Sequence, residues 1–154
     1  MSNRRRAAGL IAAATVTVAM GTGVAHADSA NPQMTGSVTQ GVPHSIAAHG
    51  IGSDATGEFT LAGFFHADVT CLVVSGNDAI ATAVIDKSKD PNNPVGEVIV
   101  IEGVDNGNPS NGVSPDLFRV SFTVNGGVIG TGPCALPVFP PVPVESGNIV
   151  VMPG

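Results

Sequence analysis

"ADVTCLVVSGNDAIATAVID", Ala67 to Asp86, decides how this chain folds. At its centre is "SGND", Ser75 to Asp78, the strongest turn signal in the sequence. Gly and Asn tolerate positive φ, as a tight hairpin requires. Before the turn, Val69, Cys71 and Val73 alternate with Thr70, Leu72 and Val74. Both sets are largely apolar, so the period-two pattern predicts a central strand covered on both faces. After the turn, Ile80, Thr82 and Val84 alternate with Ala79, Ala81 and Ala83 in the return strand.

The same period recurs outward from this hairpin. "HSIAAHG" is a weak first strand, and "GEFTLAGFF" places Phe59, Leu61, Gly63 and Phe65 on one face. "EVIVIEGVD" sets Val98 and Val100 against Ile99 and Ile101. In "LFRVSFTV", Phe118, Val120, Phe122 and Val124 point in, while Arg119, Ser121 and Thr123 point out. "NIVVM" reads as a closing strand. Strong helix formers are scarce, and Gly, Pro, Val and Thr punctuate every stretch. Some seven short strands with frequent turn signals predict an all-β domain, an antiparallel β-sandwich or small β-barrel. Ahead of the closing strand, Pro133 to Pro143 carries five prolines. Proline cannot donate to a strand ladder, so this segment is expected to be an extended edge connector. The competing reading is a polyproline ligand for a partner's aromatic groove.

The N-terminus reads as an export signal. Arg4, Arg5 and Arg6 precede an apolar run from Ala7 to Met20, and "AHA" at Ala25 to Ala27 offers small residues for cleavage. The run is short for a membrane span, which needs about 20 apolar residues. The expectation is a cleaved signal over 1–27, a secreted domain over 28–154 and no membrane insertion after cleavage. That domain keeps three cations (Lys87, Lys89 and Arg119) against twelve acids, a net charge of −9. Nucleic acids and anionic lipid surfaces both need Lys/Arg neutralisation, so neither fits as a partner. The partner class left open is a protein of the cell envelope or extracellular space. With no Trp or Tyr, the chain lacks the rings that commonly stack on sugars.

Cys71 and Cys134 are an even pair, 63 residues apart. In an oxidising compartment the simplest expectation is one disulfide between them. Two free thiols or an intermolecular bridge are the alternatives.

Chemistry-bearing patterns are sparse. His44, His49 and His66 lack the close spacing of zinc motifs, though they would still ligate if the fold brought them together. There is no G-x-S-x-G elbow, and neighbours His44 and Ser45 on one strand point to opposite faces. Glu97 and Glu102 flank a strand with no sign of burial. A hydrolase reading would require a concave site joining His49 or His66 to a carboxylate. No cofactor is implied apart from calcium, which takes six to eight oxygens from carboxylates, amides and carbonyls. "VDNGNPSNGVSPD" supplies Asp105, Asn108 and Asp116, and "IDKSKDPNN" supplies Asp86 and Asp90. The order fails the EF-hand template, and the same residues are what long turns are made of.

"VTCLVVSGNDAIATAVI", followed by "VIVIEGVDNG", resembles a group of small exported actinobacterial proteins. Their pattern runs V-T-C-L-x-V-x-G-N-x-A, then V-x-D-N-G. An upstream A-H-G matches Ala48 to Gly50, and a following D-x-F/I segment matches Asp116 to Phe118. The resemblance covers Ser45 to Val124 and implies an exported β-rich domain, with no catalytic residues to carry over. The proline-rich tail departs from that pattern. The first expectation is therefore a non-catalytic extracellular binding or surface-interaction module, with ligands meeting the Asp105–Asp116 end. A secreted hydrolase and a calcium-stabilised extracellular module are the alternatives.

Overall fold

The computed structural model describes residues 31–107, 114–130 and 134–154. The signal-like segment and Asn108 lie outside them. The strands are β1 (Gln33–Gln40), β2 (Val42–His49), β3 (Thr56–Leu61), β4 (Phe65–Ser75), β5 (Asp78–Ser88), β6 (Val98–Val104), β7 (Leu117–Phe122), β8 (Val128–Ile129), β9 (Leu136–Pro137), β10 (Val142–Pro143) and β11 (Ser146–Met152). Nine of them form one antiparallel sheet in the order β10-β7-β6-β5-β4-β3-β2-β1-β11, and β8 pairs with β9. The sheet curls into a half-barrel. Its inner face holds the core, with Met34, Ile46, Phe59, Ile99, Ile101, Phe118 and Ile149 among its buried side chains. Among the described residues no α-helix forms, and no helix is long and apolar enough to cross a membrane.

β4 carries an irregularity that alternation alone does not reveal. Val69 opposes Ala83 but Cys71 opposes Thr82, so Thr70 is an extra residue in the ladder. The bulge reverses the alternation. Phe65, Ala67 and Val69 face the core before it, and Leu72 does so after it. Cys71 is thereby turned to the outer face, out of line with Val69. There it bonds Cys134, with Cα atoms 5.2 Å apart. Beside it, the Thr82 hydroxyl accepts from the Ala135 amide (3.0 Å) and donates to the Ala135 carbonyl (3.3 Å). Val100, Ser121 and Ala135 are buried with Cys71 outside the main core cluster. The central strands are thus covered on both faces, the outer one by the disulfide-anchored tail.

Three other features depart from simple alternation. "GEFTLAGFF" is a hairpin, not one strand: Leu61 opposes Phe65, and the Phe64 amide donates to the Leu61 carbonyl at 3.0 Å. Gly63 takes φ 85°, open to glycine and strained for other residues, so it ends the alternating pattern instead of continuing it. β7 stops at Phe122, and Val124 is 63% exposed in the following 3-10 turn. β1 adds a strand where Met34 and Val38 alone are buried and Gly36 leaves a gap in the apolar pattern.

The sheet's two ends meet along a polar seam. Asp116 is fully buried, and its carboxylate accepts from the amides of Asn106 (2.9 Å) and Ile149 (2.7 Å). Asp105 accepts from Gly107 (2.8 Å) and Val151 (3.1 Å). Gln40 donates to the carbonyls of Phe118 and Val142. Two carboxylates and an amide therefore bind the outer edge of β11 and the end of β1 to the β6–β7 side.

Candidate functional site

The candidate site is at the other end of the strands, away from the Asp105–Asp116 loop. A groove of about 350 Å³ runs between the β3–β4 turn and the end of β5. Phe64, 41% exposed, stands over it, and His66, Lys87, Ser88 and Lys89 line it. The Lys89 amide donates to the Phe64 carbonyl at 2.8 Å, tying the two walls together. Two of the three cations in 28–154 thus border one groove.

A polar cluster adjoins it on the outer face. His66 and Asp68 are two apart on β4, a spacing that directs both to one face of a strand. Glu58 on β3 opposes Asp68. On β5, His66 opposes Lys87 and Ala67 opposes Ile85, leaving Asp86 as an extra residue. This second bulge accompanies a close contact between Asp86 Oδ1 and His66 Nδ1, 2.5 Å apart. Glu58 Oε2 is 3.2 Å from His66 Nε2, and Lys87 Nζ is 3.5 Å from Asp86 Oδ2. The Asp86 carboxylate holds the His66 pKa above 6.5, against a smaller opposing effect of burial and with help from Glu58. The His66 hydrogen bond in turn holds Asp86 below the usual carboxylate range.

Both ring nitrogens of His66 face carboxylates, so neither is free to activate a hydroxyl nucleophile. Ser88, the nearby hydroxyl on the groove wall, is bonded to the backbone of Asp90. The structure joins His66 to a carboxylate beside a concave surface, as a hydrolase would require, but supplies no paired nucleophile among the described residues.

The residues read from the sequence as oxygen ligands fall into separate places. Asp105 and Asp116 serve the seam. Asp86 lies at the other end of β5, eight residues from Asp78, whose partner is Val104; at about 3.3 Å per residue that is roughly 26 Å. Asp90 accepts from Asn92 and Asn93 in its own turn, and those bonds lower its pKa. The three histidines do not converge: His49 is exposed, and His44 packs edge-on to Phe118 at 5.2 Å. Glu97 is buried, which nothing in the sequence marks, and accepts from the Val124 amide. Burial raises the pKa of Glu102, as does the charge of Asp78, with Arg119 opposing.

No family model matches this chain, and no curated protein or solved structure matches it either.

Proposed function

We propose that this chain is an exported, non-catalytic binding module whose groove takes a small anionic ligand with an apolar body. The observation that carries the reading is the pairing of Lys87 and Lys89 with the exposed ring of Phe64 around one groove. Two of the domain's three cations stand at this concavity, Lys89 and, 3.5 Å from Asp86 Oδ2, Lys87, and an anion there would compete with Asp86 for Lys87 and meet Lys89 directly. The ring supplies apolar contact to the rest of the ligand. The volume is at the lower end for small-molecule sites, which run from about 300 Å³. The signal-like N-terminus, the disulfide and the resemblance to small exported proteins support an extracellular setting.

Calorimetry with a set of aromatic and aliphatic carboxylates, each beside its neutral amide, tests this. Carboxylates should bind and amides should bind at least about tenfold more weakly, a difference of roughly 1.4 kcal/mol. Lys87→Gln with Lys89→Gln should abolish the preference, and Phe64→Ser should weaken binding of all apolar members. Equal binding of acids and amides, or no binding at millimolar concentration, overturns the proposal.

A further inference from the structure

The cluster beside the groove has a second capacity that does not depend on the ligand just proposed. His66, Asp68 and Asp86 each offer one donor atom within 4.8 Å of the other two. We propose that these three side chains form a binding site for a divalent transition-metal ion of the zinc or cobalt type.

The donor set selects the class of ion. Calcium and magnesium take oxygen ligands, whereas an imidazole with carboxylates suits zinc and its neighbours. Zinc holds such donors at about 2.0 to 2.2 Å in a tetrahedron, so its ligand atoms stand roughly 3.4 Å apart. Asp68 would swing inward by up to about 1.4 Å, and the 2.5 Å contact between His66 Nδ1 and Asp86 Oδ1 would open by about 1 Å to admit the ion. Asp68 is exposed and makes no hydrogen bond or ion pair among the described residues, so its carboxylate is free to rotate inward. The ligands also stand on paired strands, which hold them more firmly than a loop would. His66 and Asp68 share one face of β4, and the β5 bulge accompanies the approach of Asp86 from the neighbouring strand. Glu58, opposite Asp68, brings a further carboxylate to the same face. Lys87, its side chain 79% exposed, is the local cation that an ion would displace toward solvent. Three carboxylates around one imidazole leave excess negative charge for a divalent ion to neutralise.

The full chain, with its disulfide intact and freed of metal by chelation, should be titrated with zinc and with cobalt by calorimetry. One ion should bind, the thermal midpoint should rise, and cobalt should develop visible absorption bands of a low-coordinate site. Calcium at equal concentration should not compete. Asp68→Asn and His66→Asn should each weaken binding by at least about tenfold, the loss that even an outer-shell partner causes. Asp68→Asn should leave the metal-free midpoint unchanged, because that side chain supports nothing else in the fold. Lys87→Gln with Lys89→Gln should still bind zinc, which separates this site from the anion groove. Absence of zinc binding at millimolar concentration, or binding that survives both the Asp68 and His66 substitutions, overturns the assignment.

Discussion

His44 shows how one residue's surroundings fix a property of the whole chain. On β2 it faces the core, 9% exposed, with Phe59 and Phe118 around its ring. Burial lowers its pKa below 6.5, opposed in part by the carbonyls of Val42 and Val38. The unfolded chain therefore takes up a proton near pH 6.5 that the folded chain refuses. The His44 contribution to stability is complete above pH 6.5 and is lost as pH falls from there through the lowered folded value. His66 has the opposite sign: its raised pKa gives stability that is present below 6.5 and lost as pH rises through the folded value. The two partly mask each other in the wild-type profile, so a difference measurement is needed. His44→Gln should lower the midpoint at neutral pH, yet lose less than wild type between about pH 7.5 and pH 5. Parallel melting profiles for the two proteins across that window would show that His44 takes no part in the acid response.

At the scale of elements, the bulge at Thr70 and the disulfide act together. The bulge turns Cys71 outward, and Cys134 fastens the tail over β4 and β5 there. Closing a loop of 63 residues removes unfolded-state entropy worth about 4 kcal/mol. Cys71→Ser with Cys134→Ser should cost about that much in urea denaturation. Amide exchange should accelerate first around Ala135 and the β8–β9 pair, while the inner-face core stays protected. A loss confined to under about 1 kcal/mol would mean the tail holds its place through Thr82 and its own packing alone. The same elements show what the sequence discloses. The Ser75–Asp78 hairpin is legible because both flanking strands alternate and the turn needs its glycine. The doubly covered character of β4 is legible because both its faces are apolar. The bulge that redirects Cys71 is not, since one extra residue leaves composition and periodicity unchanged. β1 escapes because only Met34 and Val38 mark its inner face. The His66 cluster is half legible: the i, i+2 spacing to Asp68 is a strand signal, whereas Asp86 joins them only through strand register and a second bulge. Composition alone groups Asp86 with Asp105 and Asp116, from which the length of β5 separates it.

The whole molecule depends on how a curled sheet closes without a complete ladder. An exposed strand edge leaves backbone amides unpaired and invites association with other chains. Here the outer edge of β11 is met by side chains: Asp116 takes the Ile149 amide and Asp105 takes the Val151 amide. Gly103 permits the close approach, since a β-carbon there would collide with Met34 Cε and press on Ile149. The loop that supplies both carboxylates thus has a structural task that accounts for its acids without a bound ion. Asp116 is the critical one, fully buried and accepting two amides. An Asn in its place puts a donor where one acceptor stood and leaves an amide unpaired, a loss of about 1 to 3 kcal/mol. Asp116→Asn should therefore lower stability by that amount in urea denaturation and speed exchange at Ile149 and Val151, with the β4–β5 hairpin unaffected. Asp105→Asn should cost less, and the double variant should be non-additive, because both acids hold the same strand. The decisive comparison is Asp116→Asn against wild type with millimolar calcium and again with chelator. An equal stability loss in both conditions marks the carboxylate as an acceptor for β11. A loss seen only with calcium present would make this seam an ion site and return the loop to the role its composition first suggests.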